Sequence, residues 1–490
     1  MHIGDVAGDW IKEKIFRRHG FNIFSLTSFI DWVGGSWGIS RGLVLWILYI
    51  GMFWIVSLQI PHLFFFTLQW LVGLSPLWLP FGLAYAAEAS WVWYIQAFYL
   101  AGRDGILLEV KIPRDIFKSP RAMELALIPM NLSSGETTAI NRAWQGGVRP
   151  FWSFELASFG GDVHFYIWTW RSFKPLVESS IYAYYPEVEL VEVDDYATKF
   201  QFDPSIHDCY VTEWRRETYI QDEIGKNGSW RLNAYPIPTY VDFELDKDPK
   251  EEFKVDPLAE PLEFMSSLRP EDQMWAQIVI REAGYPSTHV FSGLGFASDK
   301  RTWLKTVDQE VSRMRIRAAT FSDAEYKQAQ ELSEKGYGQA RPRGTWRQTR
   351  VMENMERNQG KYAYEVGIRG WIVSTKEVTS HYYNGMRWMW RPMGNPNYST
   401  HLRPRRWHPP FDYPWQDYNN IRWNVAAKRF LDAYRRRLFF HSPWRTYESP
   451  MIMTNEEIAT LWHPVSRSVE VPGLERIPAK KAEPPSNLPK

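Results

Sequence analysis

Cysteine is nearly absent: Cys209 is the only one in 490 residues, which excludes internal disulfides and every thiolate metal cluster and agrees with a reducing compartment. The signatures of nucleotide and hydrolytic chemistry are missing too. A phosphate-binding loop needs a glycine-rich turn ending in Gly, Lys and Ser or Thr, so that backbone amides and the lysine cradle the phosphates. Here Gly225 and Lys226 are followed by Asn227, and Gly360 and Lys361 by Tyr362. No HExxH motif and no paired-histidine spacing occurs, so metal-assisted catalysis has no anchor. The expectation is a protein that is not an enzyme and needs no cofactor. Net charge is also lacking, with 57 Lys and Arg against 56 Asp and Glu, and by itself it points to no acidic or nucleic-acid partner. The N-terminus, MHIGDVAGDWIKEKIFRRHG, lacks the short apolar run and small-residue cleavage site of a secretory signal, so no cleavage is expected.

The most informative absence is local. From residue 42 to residue 87 there is no Asp, Glu, Lys or Arg, more than twice the roughly 20 residues one membrane span needs. Two crossings are expected, over residues 43–59 and 66–87, with Pro61 and His62 in the turn between them. Arg17, Arg18 and Arg41 precede this hairpin and Arg103, Lys111 and Arg114 follow it, while the turn has no basic residue. The positive-inside rule then puts both flanks in the cytoplasm, as a multi-pass protein of the inner membrane with both termini cytoplasmic. Tryptophan is plentiful, with 26 residues, and its amphipathic indole suits membrane interfaces. Trp46, Trp54, Trp70 and Trp78 are the expected anchors in the hairpin, with Trp91 and Trp93 in an aromatic belt just beyond Glu88. A helical hairpin buried in a soluble protein is the competing reading, but such helices normally carry a charged stripe and this region has none. Residues 1–41, mixing Trp10, Ile11, Ile15 and Phe16 with basic residues, fit either an amphipathic interfacial segment or an ordinary packed helix.

After residue 102 the pattern changes to short alternating elements. ILLEVKI over 106–112 reads as a strand, SPRAMELALIPM as a helix opening at Ser119 with Pro120 in its first turn, and FWSFELASF and DVHFYIWTW as a hairpin about Gly160 and Gly161. A helix over 173–184 and a strand over 188–193 complete the order strand, helix, strand, strand, helix, strand, which is the ferredoxin-like split βαβ arrangement. A second α+β unit is expected over 201–400, from a strand PTYVDFEL at 238–245, a helix at 258–268 and strands at 273–282 and 362–374. It is interrupted at 299–358 by a charged helical insertion. The fold class expected is thus α+β with an N-terminal transmembrane helical hairpin. Its divisions are 1–41, 42–102, a ferredoxin-like domain at 103–200, a second α+β domain at 201–400, a basic aromatic region at 401–470 and a Pro-rich tail at 471–490.

His164 lies among apolar strand residues, where a satisfied structural histidine is the simpler reading. EVELVEVDDY offers Glu187, Glu189, Glu192, Asp194 and Asp195 as oxygen ligands for a divalent cation, but strand alternation puts many of them on a solvated face and no metal site is expected. Between residues 401 and 445 ten basic residues face three acidic ones, Asp412, Asp417 and Asp432. Arg403, Arg405, Arg406, Arg429, Arg435, Arg436 and Arg437 belong to this set, and Trp407, Trp415, Trp423 and Tyr434 interleave with it. Three readings stay open: a surface for single-stranded nucleic acid, a basic face toward anionic headgroups, and arginines stacked structurally on aromatic rings.

Several stretches carry a family resemblance: LLEVKIPRDIFKSPRAMELAL, VHFYIWTW, IYAYYPEVELVEVDDY, PIPTYVDFELDKDPKEEFKVDPLAEPLEFMSSL, FDYPWQDYNNIRWNVAAKRFLDAYRRR and LERIPAKKAEPPSNLP. In that order they resemble the membrane-anchored N-terminal region ahead of the DNA-pumping ATPase domain in type IV secretion and FtsK/HerA-like proteins of candidate-phyla bacteria. In those relatives the Pro-rich piece leads into the ATPase, whereas this sequence ends there, at Lys490. The resemblance therefore implies anchoring and recruitment rather than ATP hydrolysis: a scaffold, itself a homo-oligomer, for a hexameric DNA-translocating ATPase supplied in trans. The lipid bilayer is a further partner and DNA a candidate one. The alternative is a membrane-tethered nucleic-acid-binding protein.

Overall fold

The structure is a computed structural model that describes residues 41–59, 61–114, 116–134, 138–218, 231–247, 255–283, 302–318, 345–394, 400–405, 415–441 and 450–478. Two compact units divide the chain, residues 1–87 with 406–428 and residues 88–405 with 429–490. Residues 1–40 of the expected amphipathic segment, the middle of the charged insertion, Arg406 and the end of the Pro-rich tail lie outside the described residues.

The described part of the first unit is helical. α1 (Arg41–Gln59) and α2 (Pro61–Gly73) lead into α3 (Ser75–Ala101), whose second half belongs to the other unit. Proline chemistry sets the breaks. Pro61 opens α2, and Pro76 has no N–H to give the Val72 carbonyl, so the helical ladder breaks where α2 stops at Gly73 and Leu74 makes the turn before α3. Leu74 N–H still reaches the Trp70 carbonyl at 2.8 Å, and the Ser75 hydroxyl donates to the Val72 carbonyl at 2.6 Å. The crossing expected over residues 66–87 is therefore interrupted. Among the described residues no single helix is long and apolar enough to cross a membrane; Trp46–Gln59 and Phe64–Leu77, bent by 120°, meet that requirement only as a pair. The Phe53 and Phe64 rings meet edge to face at 4.5 Å across the bend.

The second unit is α+β, built on one antiparallel sheet. Its strands are β1 (Gly105–Lys111), β2 (Phe151–Phe159), β3 (Asp162–Trp170), β4 (Glu189–Val193), β5 (Asp208–Thr218), β6 (Asp272–Glu282), β7 (Ala363–Ser374), β8 (Thr400–Arg405) and β9 (Met451–Thr454). The order is β4-β1-β3-β2-β6-β7-β5-β8, with β9 added beside β7. Between β1 and β2 comes α4 (Arg121–Leu127), and between β3 and β4 comes α5 (Lys174–Tyr184), so β1–β4 keep the connection order read from the sequence. The boundary expected at residue 200 falls inside the sheet, because β2 pairs with β6 from Phe151↔Arg281 to Phe159↔Gln273. β5–β8 extend that sheet rather than build a second one.

Central strands are buried on both faces. On one face Trp152, Phe154, Leu156, Ile278, Ile280, Val366 and Ile368 pack with Met123, Leu127, Ile181 and Leu262 from α4, α5 and α6 (Ala259–Ser266), and with Trp462. Burying a side chain of this size contributes roughly 1.5–3 kcal/mol. The insertion supplies α7 (Thr302–Ala318) and α8 (Trp346–Gln359), whose Val307, Val311, Met314, Val351 and Met355 close a small core of their own with Tyr235. α9 (Ser380–Trp388), α10 (Ile421–Arg435) and α11 (Asn455–Leu461) complete the helices used below.

The strand expected over residues 238–245 is a run of turns. Asp242 is the reason: its carboxylate accepts from the Thr239 amide at 2.9 Å, while the Asp242 and Phe243 amides both bond back to the Thr239 carbonyl. Side-chain bonding to the local backbone beats the apolar alternation there.

Candidate functional site

Strand alternation gives the second face of the sheet an unusual composition. Ser153, Glu155 and Ala157 of β2 point there, as do Trp275 and Gln277 of β6 and Arg369 and Trp371 of β7. The pairing registers line up one polar row across the sheet: Glu109 on β1 opposite Tyr166 on β3, Tyr166 opposite Glu155, Glu155 opposite Gln277, Gln277 opposite Arg369, Arg369 opposite Glu213 on β5, and Glu213 opposite Arg405 on β8. An aromatic row flanks it, with Trp275 opposite Trp371 and their rings stacked at 6.3 Å.

A buried row of this kind is stable only if each group finds a partner. Arg369 donates from Nε to the Gln277 side-chain amide oxygen at 2.7 Å, and from its other nitrogens to the backbone carbonyls of Leu438 and Ala433 at 3.1 and 3.0 Å. Burial pushes the Arg369 guanidinium down to about 10, which leaves it charged at neutral pH. Glu155 is met from above by Arg437, whose Nε and Nη2 donate to its two oxygens at 2.9 and 3.1 Å. Ser153 and Tyr196 each add a hydrogen bond to Glu155 at 2.7 Å. Burial alone would raise the Glu155 carboxyl; the charge of Arg437 and these hydrogen bonds outweigh it and hold Glu155 below the usual carboxylate range. Arg437 also pairs with Asp195, which caps the short helix Tyr196–Lys199 through the Ala197 amide at 2.9 Å. α10 closes the face, its Tyr434 hydroxyl 3.0 Å from that of Tyr196.

The seven arginines read from the sequence as one basic surface thus separate. Arg437 has no solvent exposure and leaves the set: a guanidinium enclosed between Glu155 and Asp195 offers nothing to a phosphate. Arg435 is half-buried and donates to the carbonyls of Ala197 and Phe200. Arg403 grips both Glu217 oxygens at 2.8 and 2.7 Å, and Arg405 lies 3.5 Å from the same carboxylate. Arg436 pairs with Asp432 one turn back on α10 at 2.9 Å and is exposed, as is Arg429. Arg406 lies outside the described residues. The acidic strand is taken up in the same way: Glu192 is 2.9 Å from Arg171 and 2.8 Å from Lys174, and Asp194 is 2.8 Å from Lys199. No cluster of three potential metal ligands occurs among the described residues. His164 sits 2.8 Å from Glu109, the end of the polar row.

Sequence reasoning missed a second buried network, on the opposite face. Glu457 of α11 accepts from Arg216 of β5 at 2.6 Å and from the Ile237 amide at 2.8 Å. Lys361 lies 2.6 Å from Glu124 and 3.3 Å from Glu456. The signal was present in the acidic pair Glu456–Glu457, which needs cations once α11 is buried on all sides. Nearby, His463 is held between the Ala459 carbonyl and the Asp256 carboxylate, each at 2.8 Å, beside a cavity of about 10 Å³ lined by Lys118, Ser119, Ser466 and Ser468. That volume admits about one water molecule and no substrate.

The anchor tryptophans contrast with all of this. Trp46, Trp54 and Trp70 are 63%, 66% and 55% exposed, and Trp91 and Trp93 are 46% exposed each. Trp78 lies on α3, but its side chain is outside the described residues. Trp46, Trp54 and Trp70, along helices with no charge between Arg41 and Glu88, belong to an exposed apolar surface. No family model, curated protein or solved structure matches the chain.

Proposed function

We propose that this protein is a membrane-anchored scaffold that catalyses no reaction of its own and positions a DNA-translocating ATPase in a type IV secretion-like system. The observation that carries the anchoring is the exposed, charge-free surface of α1, α2 and the first half of α3, with its outward tryptophans. Indoles of this kind settle at the boundary between acyl chains and headgroups, and the basic residues on both flanks favour the cytoplasmic side. The scaffold role is supported by the way buried charge is used. Glu155, Arg437, Arg369, Arg216 and Glu457 are engaged with one another or with backbone, an arrangement that rigidifies a body rather than exposing reactive groups.

We read β1–β4 with α4 and α5 as a ferredoxin-like unit, a fold that serves elsewhere as an assembly module, and the likeness is by analogy. Recruitment of an ATPase in trans and assembly into a homo-oligomeric ring follow from the family resemblance. The test is co-purification from a mild detergent. Recovery in the membrane fraction with an ATPase attached is expected. Recovery from the soluble fraction would overturn the anchoring, and a detergent-extracted monomer with no ATPase would overturn the recruitment.

A further inference from the structure

The second unit carries a large apolar group for which its own core has no use. The five-residue helix Ala139–Ala143 is capped by the Thr138 hydroxyl, which accepts from the Asn141 amide at 3.1 Å. It presents Ile140 at 62% exposure, and Trp144 follows it at 69%. Neither belongs to the two hydrophobic clusters described above.

Their position is fixed. The indole N–H of Trp91 on α3 donates to the Ala143 carbonyl at 2.8 Å, and the Trp91 and Trp144 rings meet edge to face at 6.2 Å. Gly146, at φ +66°, presses on the same helix: a Cβ there would lie 2.3 Å from the Ile95 carbonyl oxygen. Residues 138–146 are therefore bound to α3 at the level of Trp91. Trp91, Tyr94 and Phe98 recur at helical spacing along one stripe of α3 and are 46%, 58% and 73% exposed.

Depth identifies the partner. The charge-free run ends at Ala87, and four residues of helix at 1.5 Å each place Trp91 about 6 Å further along the axis. If the run enters the hydrocarbon, Trp91 and Trp144 lie in the headgroup layer, where indoles are favoured.

We propose that Ile140 and Trp144 form a second lipid contact, which with Trp91 seats the sheet domain against the headgroup layer of an anionic bilayer. This rests on the reading that residues 42–87 enter the bilayer, so the experiment separates the two.

Cys209 is buried, and Cys209→Ala gives a cysteine-free full-length chain. In that background Trp144→Cys and, separately, Phe81→Cys in the charge-free part of α3 are labelled with an environment-sensitive fluorophore. Each protein is reconstituted into phosphatidylcholine–phosphatidylglycerol vesicles with and without brominated acyl chains. Quenching is expected at both positions, with a blue shift at residue 144 relative to detergent-free buffer. Quenching at 81 but not at 144 overturns this proposal and leaves the anchoring intact; no quenching at 81 overturns the anchoring. A blue shift at 144 without lipid quenching also overturns it, because the patch is then covered by a second copy or another protein.

Discussion

Arg437 and Glu155, 282 positions apart in sequence, meet as an ion pair in which neither side chain is exposed, and Arg437 reaches it from an unfavourable backbone conformation. The residue has φ +54°. It stands where a helix ending in a Schellman motif places glycine: the Leu438 amide bonds to the Ala433 carbonyl at 3.2 Å and the Arg437 amide to that of Tyr434 at 3.0 Å. A left-handed conformation costs an ordinary residue roughly 1–2 kcal/mol. That cost is offset only because the arginine side chain neutralises Glu155 and Asp195, which would otherwise be left unpaired under α10.

Removing this guanidinium should therefore destabilise the second unit heavily. Arg437→Ala is expected to cost about 3–5 kcal/mol in chemical denaturation, the usual penalty for stranding a buried charge. Arg437→Gly should cost roughly 1 kcal/mol less than Arg437→Ala, because glycine accepts the positive φ. Equal losses would show that the backbone at 437 relaxes freely.

Three consecutive arginines should behave in three ways. Arg436 is exposed and pairs with Asp432 one turn back, so Arg436→Ala is expected to change stability by less than about 0.5 kcal/mol. Arg435→Ala loses bonds to the Ala197 and Phe200 carbonyls and should fall between that and Arg437→Ala. Thermal unfolding of the three single variants orders them. A uniform small effect, accompanied by a uniform loss of DNA affinity, would instead restore the nucleic-acid reading of this stretch.

The elements that could be read from the sequence are those whose pattern depends on neighbours in the chain. β2 and β3 start and end where their alternation and the Gly160–Gly161 pair place them, and α11 opens with the Thr454 cap. What escaped are elements whose polar residues are satisfied from far away. β5 contains Glu213, Arg215 and Arg216, and β8 contains Arg403, Pro404 and Arg405, so neither looks like a strand; both are held by long-range pairs such as Arg216 with Glu457. The charge count over 401–445 could not show these pairings for the same reason, because Glu155, Asp195 and Glu217, the partners of Arg437 and Arg403, lie far upstream. Glu155 within FWSFELASF was the available clue, since a carboxylate in a doubly buried strand requires a cation.

Stability should fall as pH drops below about 6.5. His441 is buried with its Nε2 3.5 Å from Arg281 Nη1; burial, then the charges of Arg281 and Arg149, push it well below its ordinary value. The folded state therefore holds His441 neutral while the unfolded chain protonates it, so its contribution is complete above the unfolded value and is lost as pH falls toward the folded one. The slope over that window is about 1.4 kcal/mol per pH unit for this one group. His441→Gln should flatten the denaturation midpoint between about pH 6.5 and 5, the other histidines being common to both proteins. A second decline at lower pH follows from Glu155 and from Glu109. The hydrogen bond from His164 is the largest influence on Glu109 and lowers it below the usual range.

The junction at α11 should be as sensitive as the polar row. Thr454 accepts from the Glu457 amide, and Glu457 accepts from the Thr454 amide at 3.0 Å, a reciprocal cap that also leaves Glu457 facing Arg216. Thr454→Ala removes this cap and a 2.6 Å bond to Asn358, and is expected to cost about 1–2 kcal/mol. Glu457→Ala strands buried Arg216 and should cost about 3–5 kcal/mol. Urea titrations that found the two equal would place the energy in the cap rather than in the ion pair.

The chain after α11 returns to the sheet as a strap, and one glycine controls whether it lies flat. The Gly473 carbonyl accepts from the Val163 amide at 2.7 Å; four residues later Ile477 donates to the Ile112 carbonyl and accepts from the Arg114 amide, both at 3.1 Å. Arg476 ties the same stretch to the Ser466 and Val469 carbonyls at 2.8 and 2.7 Å. A Cβ at 473 would stand 1.8 Å from the Gly161 carbonyl oxygen. That oxygen cannot swing aside, because Gly160 and Gly161, at φ +64° and +102°, form the tight turn between β2 and β3. Gly473→Ala should thus lift the strap at an overpacking cost of about 1–3 kcal/mol. The expected readout is faster hydrogen exchange at the Val163 and Arg114 amides and tryptic cleavage after Arg476, with the sheet otherwise protected. Gly360→Ala is the control, since its Cβ would come no nearer than 3.8 Å to the Arg357 carbonyl and its φ is −81°. If both variants leave exchange and cleavage unchanged, the strap is not held by the contact at Gly473.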